Sequence, residues 1–214
     1  MPTPSKDGWF VPPENRIASP KFNKRVKPIK MIVVHTTIAP RETPDNRKRI
    51  ERWLMNTSST ASTHFVILRN GVILQGVSTL DKAWHAGKSS WPRLGIASDV
   101  NAWSIGIDFD SLGRLTKKGG ELFDAYGSPY KGDWIEHEGN FFEPFTVEQI
   151  DSFRILLPIL ANEYQIDEQD IVGHRDVSPG RKTDPELIFP WSIVLSAIDF
   201  GCTTRELANL VRYH

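Results

Sequence analysis

Several things are scarce in this chain, and each shortage excludes a class of protein. There is one cysteine, Cys202, in 214 residues, so no internal disulfide can staple the fold, and a reducing compartment suits it. An excess of charge of either sign is missing: 26 Lys and Arg balance 26 Asp and Glu, and the pI is near 7.0. Without a basic excess, neither nucleic acid nor an anionic membrane is an expected partner. No apolar run reaches the length of a membrane span. The opening residues, Met-Pro-Thr-Pro-Ser-Lys-Asp-Gly, lack the apolar segment of a secretory signal. These absences predict a soluble, cytoplasmic monomer with no membrane insertion. Repeats and linkers are also missing, and 214 residues can bury the core of one domain.

What is present is organised around residues 171–185. A short apolar run, Ile171-Val172-Gly173, ends at His174. A loop broken by Pro and Gly follows, carrying Arg175, Asp176, Arg181, Lys182 and Asp184. An imidazole nitrogen and a carboxylate oxygen are both common zinc ligands, and a catalytic zinc takes three ligands from protein and leaves a fourth position open. His174 and Asp184 supply two. His35 is the candidate third, because it ends a second β-branched run, Ile29 to Val34, and ligand sites in α/β sheets lie beyond the carboxyl ends of strands.

Around these strands the pattern predicts an α/β fold, a single domain with a central mixed β-sheet flanked by helices. Residues 1–28, with six prolines, read as an irregular arm pinned by Trp9, Phe10, Val11, Ile17 and Phe22. Residues 29–214 form the domain. Thr43 and Pro44 open a helix whose buried face carries Ile50, Trp53 and Leu54. Residues 63–75 read as a hairpin turning at Asn70-Gly71. From Trp103 to Asp110 an apolar face (Trp103, Ile105, Ile107, Phe109) alternates with Ser104, Gly106, Asp108 and Asp110. Residues 111–145 read as a long polar and aromatic insertion. Thr146 and Gln149 form a capping box for a helix that Pro158 should kink or interrupt. A short helix from about Pro190 and a last one capped by Thr203 and Glu206 complete the chain. His64 reads as a hydrogen-bonded strand residue and His137 as exposed.

Five blocks, IVVHTT (32–37), STHFVILRNGVI (62–73), AWHAGKSSW (83–91), NAWSIGIDF (101–109) and GHRDVSPGRKTDP (173–185), resemble in content and order the zinc-dependent N-acetylmuramoyl-L-alanine amidases, which share a fold with the peptidoglycan recognition proteins. The resemblance covers roughly residues 31–191. It implies zinc at His35, His174 and Asp184, a catalytic role for Lys182, and a substrate: the amide between the lactyl group of N-acetylmuramic acid and L-alanine in peptidoglycan or muropeptides. It places His85, with Trp84, against substrate. Arg181 is read either as a loop ion pair or as a contact to a substrate carboxylate. Where the family usually has Glu, this chain has Asp108, still a carboxylate and the candidate for proton transfer. Lys182 is the candidate to stabilise an oxyanion, against the alternative of an ion pair with Asp176. A non-catalytic peptidoglycan-binding module on the same scaffold is the alternative function, and loss of the zinc set would mark it. Action on a cell wall from outside would require lysis, a phage or a dedicated secretion machine.

Overall fold

The computed structural model describes residues 5–40 and 46–199. In chain order these contain β1 (Phe22–Lys24), β2 (Met31–Thr36), α1 (Arg47–Met55), β3 (Phe65–Ile67), β4 (Ile73–Gln75), β5 (Asp81–Ala83) and β6 (Ser104–Phe109). Then come β7 (Arg114–Lys118), β8 (Glu121–Phe123), β9 (Pro129–Tyr130), β10 (Ile135–His137), β11 (Asn140–Phe142), α2 (Val147–Tyr164), β12 (Ile171–Gly173), α3 (His174–Val177) and α4 (Trp191–Asp199). The Thr43-Pro44 helix start, Cys202 and the Thr203–Glu206 cap lie outside the described residues. Among the described residues, no helix is long and apolar enough to cross a membrane.

The central sheet has the order β12-β2-β6-β3-β4. The first four strands run parallel, and β4 returns antiparallel to β3. It is therefore a mixed sheet, as the alternation of strands and helices predicts. Every residue of β2 and β6 is buried, as central strands covered on both faces require. On one face Ile32, Val34, Ile105, Ile107 and Phe109 pack against Phe153, Leu156, Leu157 and Leu160 of α2 and Val194 of α4. On the other, Ile50 and Leu54 of α1 cover Val66, Leu68 and Leu74, while Met31, Val33 and Val172 meet Val100 and Val177. Trp103 departs from the expected alternation: it packs at the edge of this second face. The β3–β4 connection places Gly71 at φ +79°, a left-handed conformation that favours glycine.

Three expectations are revised. The insertion is not a loop but a second, antiparallel sheet, β10-β11-β7-β8-β9. Glycines at 113, 119, 120, 127 and 139 take positive φ at its bends, and Leu112, Leu115 and Leu122 give it a small core of its own. Helix α2 runs without interruption through Pro158. The amide that proline lacks would have bonded the carbonyl of Arg154, an exposed residue whose carbonyl water can satisfy, while Phe153, Leu157 and Leu160 anchor both sides of the proline. In the arm, Phe10 and Val11 are buried but Phe22 is 44% exposed, since β1 pairs with β5 as a separate two-stranded ribbon. The arm also has a polar anchor. Arg25 donates to the carbonyls of Thr79 (3.0 Å), Ala102 (2.8 Å) and Ser104 (2.9 Å).

Candidate functional site

Strands β2 and β12 lie side by side with Val34 opposite Gly173, so parallel pairing brings the histidines that follow, His35 and His174, together at the same sheet end. Their rings stand 4.5 Å apart. The chain then passes through α3 and folds back: the Arg175 amide donates to the Asp184 carbonyl at 2.8 Å. A Cβ at Gly173 would lie 2.7 Å from Pro185 Cδ, so this close return needs glycine there. The result sets His35 Nδ1 3.0 Å from His174 Nδ1 and 3.2 Å from Asp184 Oδ2, with His174 Nδ1 3.0 Å from the same oxygen. All three residues are buried.

Three such atoms, each able to carry a lone pair, face one another from buried side chains. The carboxylate is an acceptor, and His174 Nε2 lies 3.1 Å from the Ala86 carbonyl and 3.3 Å from an Arg181 guanidinium nitrogen; a His174 that binds metal through Nδ1 keeps its proton on Nε2, toward that carbonyl. Ligands about 2.0–2.1 Å from a tetrahedral zinc stand about 3.3 Å from one another. The donor types and spacing fit a metal ion, and His35, His174 and Asp184 form the one group capable of holding one among the described residues. Burial pushes the Asp184 carboxyl up, but the His174 and His35 rings set against it outweigh that and hold it far below the ordinary range. Burial lowers His174 although Asp184 stands beside it, so the donor set favours deprotonated ligands.

Asp108 lies on β6 directly beside His35 of β2. Burial raises its carboxyl above the usual value against the pull of His35 and a hydrogen bond from Thr63. Lys182 lies in the same loop as Asp184. It lines a cleft of about 190 Å³ with Arg114, Asn140, Arg175, Glu186 and Leu187, where the inserted sheet meets that loop. The alternative pairing with Asp176 is not made: that carboxylate accepts the Gly173 amide at 2.8 Å. Glu186 is buried in the same cleft, and desolvation, then the charge of Asp184, raise it to about 7.

The other site candidates are engaged inside the protein. Trp84 donates its indole N–H to Asn23 of the arm at 2.7 Å. Arg181 spans from its loop to the carbonyls of Ala86 (2.7 Å) and Lys88 (2.8 Å) and to Ser178 Oγ (2.6 Å), clamping the residue 83–91 segment to the His174 loop. His85 has one ring nitrogen 2.9 Å from His35 and the other 3.0 Å from Ser104. His64 accepts the Gly106 amide at 2.9 Å; burial and the adjacent Arg25 lower it to about 3. His137 is exposed and remote from this group. Sequence reasoning passed over Arg25, Thr63, Asn101 and Ser104. Only Ser104 left a signal, a polar residue at the start of a strand otherwise too apolar to be half-exposed; Arg25, Thr63 and Asn101 lie outside the strands. Asn101 Oδ1 receives the amides of His85 and Ala86 at 3.2 and 2.7 Å.

Comparison with known proteins shows the family. The family model described as N-acetylmuramoyl-L-alanine amidase matches residues 25–131 and 134–187. The 1,6-anhydro-N-acetylmuramyl-L-alanine amidase AmpD of Haemophilus influenzae is 29% identical over 86% of this chain and 91% of its own length. The N-acetylmuramoyl-L-alanine amidase AmiD of Escherichia coli is 30% identical over 63% of this chain but only 44% of its own length. Its crystal structure with anhydro-N-acetylmuramic acid-L-Ala-D-γ-Glu-L-Lys aligns at TM-score 0.59 and 28% identity, covering 79% of this chain and 57% of that one. A selenomethionine AmpD crystal structure shares the fold at TM-score 0.67 and 23% identity over 92% of this chain and 99% of that one.

Proposed function

The chain belongs to the N-acetylmuramoyl-L-alanine amidase family, and on that premise we propose that it hydrolyses the amide joining the lactyl group of N-acetylmuramic acid to L-alanine, in muropeptides or peptidoglycan, with zinc held by His35, His174 and Asp184. The observation that carries this is the convergence of three buried ligand atoms within 3.2 Å of one another at the carboxyl end of the parallel strands. The relatives named for anhydro-muropeptides support a muropeptide as the substrate.

Zinc, when bound, lowers the pKa of a water and polarises a carbonyl, the two effects amide hydrolysis needs. The protein's own groups do the rest. Asp108, beside His35 and with its affinity for protons raised by burial, takes the proton of the attacking water at a carboxylate oxygen and delivers it to the leaving nitrogen. The Lys182 ammonium, on the cleft wall, stabilises the carbonyl oxygen as it becomes negative. Trp84, His85 and Arg181, each bonded within the protein, shape the pocket wall that the substrate meets.

The decisive test is digestion of a defined anhydro-muropeptide and of intact peptidoglycan, read by mass spectrometry, together with zinc content. The expected products are a free peptide beginning with L-alanine and the peptide-free sugar. Binding without cleavage by a zinc-loaded protein would instead establish a recognition module, and cleavage at any other bond would refute the substrate assignment.

A further inference from the structure

The hydrogen-bond chain behind His35 has only one consistent assignment of protons. It begins at the Val100 carbonyl, which can only accept. Ser104 Oγ stands 2.8 Å from that carbonyl and so spends its single proton there. Ser104 Oγ is then left as the acceptor for His85 Nε2, 3.0 Å away, which must carry N–H. The partners of the His85 ring nitrogens are Ser104 Oγ and His35 Nε2, neither of them a carboxylate, so the ring has no counter-charge beside it and is neutral. With its proton on Nε2, its Nδ1 is a bare acceptor. That atom faces His35 Nε2 at 2.9 Å, which therefore carries the proton and leaves Nδ1, turned to His174 and Asp184, as the atom through which His35 can bind metal.

We propose that His85 and Ser104 are positioning residues that hold His35 in the one tautomer able to bind metal through Nδ1. The inference rests on the zinc reading above. Without this chain His35 could adopt the other tautomer, place a proton on Nδ1 and donate it to Asp184 Oδ2 at 3.2 Å, blocking the site with an internal hydrogen bond. The fold is built to seat the locking ring. A Cβ on Gly106 would lie 2.5 Å from His85 Cγ, so β6 carries glycine where the imidazole lies flat on it. Asn101 Oδ1 pins the backbone of His85 and Ala86 from the other side. The Ala86 carbonyl accepts from His174 Nε2 at 3.1 Å. One segment, residues 85 and 86, thus orients both histidine ligands, by a side chain for one and a carbonyl for the other. Partners of this kind typically change metal affinity by about 10–100-fold.

The test uses the zinc-loaded full chain with ¹⁵N-labelled histidines, in which long-range ¹H–¹⁵N correlations report which ring nitrogen of each histidine carries a proton. The expected pattern is Nε2–H on both His35 and His85, with His85 Nδ1 bare. A proton on His85 Nδ1 overturns the proposal. Zinc affinity, measured by competition with a chromogenic chelator, supplies the second arm. His85→Ala should weaken zinc binding by about 10–100-fold, and His85→Asn, whose carbonyl oxygen falls near the place of Nδ1, should recover most of the loss. Affinity unchanged in His85→Ala, or lost equally in both variants, overturns it. If His85→Ala does not fold, the wild-type ring pattern decides alone. A wild-type chain that takes up no zinc removes the metal reading together with this one, whereas zinc bound with the opposite tautomer removes only this one.

Discussion

Lys182 shows how a residue near a metal ligand can be separated from it. It lies two positions before Asp184, yet its side chain lines the cleft shared with Arg114 and Arg175 while the carboxylate turns toward the histidines. A charge placed to meet a developing oxyanion acts more strongly in the transition state than on bound amide, so its loss should fall on kcat rather than KM. Lys182→Ala is expected to keep stoichiometric zinc and near-normal muropeptide binding while cleaving about 10²–10³-fold more slowly; loss of zinc would mean that it supports the loop instead. Asp108→Asn should likewise retain fold and metal and slow turnover by about 10²–10⁴-fold, with Asp108→Glu keeping measurable activity. Single-turnover rates on one muropeptide decide both, and a normal rate in the Asn variant would make Asp108 structural. The cluster of His35, His174 and Asp184 was legible because strand ends, a loop rich in charge and a familiar order of motifs all pointed to it. Ser104 and Arg25 were not, because a serine on a strand and an arginine in a proline-rich arm acquire meaning only when β6 and the 79–104 carbonyls are placed beside them in space.

Elements differ in what they can lose. Helix α2 lies across the sheet with Phe153 wholly buried and edge-on to Phe109 at 5.2 Å. Phe153→Ala should therefore cost the whole domain about 3–5 kcal/mol, measured as a shifted denaturant midpoint with unchanged slope. The inserted sheet has its own core of Leu112, Leu115 and Leu122, apart from that cluster. Leu122→Ala is expected to speed amide exchange across residues 114–142 with zinc affinity unchanged; a loss of zinc would show that the two sheets form one cooperative unit. The large elements were legible because their signals are local: the capping box at Thr146 and Gln149, and the unbroken apolar run of β2. The inserted sheet was not, since strands of two to five residues are too short for a periodicity and their polar faces resemble loop. Its five positive-φ glycines were the available signal, marking bends at intervals a hairpin array needs. The passage of α2 through Pro158 was equally hidden, because tolerance of that proline depends on the packing of Phe153, Leu157 and Leu160 to either side, which is not a property of the local sequence.

At the scale of the whole molecule, the candidate metal site joins parts of the chain that are remote in sequence. His35 ends a central strand, while His174 and Asp184 bracket a loop 139 and 149 positions later. Without a cation, a buried carboxylate and two buried imidazoles are held against one another, a donor set that a cation between them would stabilise. Zinc that binds the folded chain and not the unfolded one stabilises by about 2.7 kcal/mol at a free concentration of 100 Kd, and about 4.1 at 1,000 Kd. For a chain of this size each kcal/mol moves Tm by about 2–4 °C. Chelation is therefore expected to lower Tm by roughly 5–15 °C, reversibly on adding zinc back, and exchange should quicken first in the loop from His174 to Asp184. His35→Ala is the control. It removes one ligand but none of the loop's own bonds, such as that of the Arg175 amide to the Asp184 carbonyl, so its Tm should no longer respond to chelator or zinc while the fold persists. A zinc-dependent shift retained in His35→Ala would place the metal elsewhere. A wild-type protein that carries one zinc yet shows no shift on losing it would mean that the site is fully formed in the unfolded ensemble or contributes nothing to holding the His174–Asp184 loop against β2.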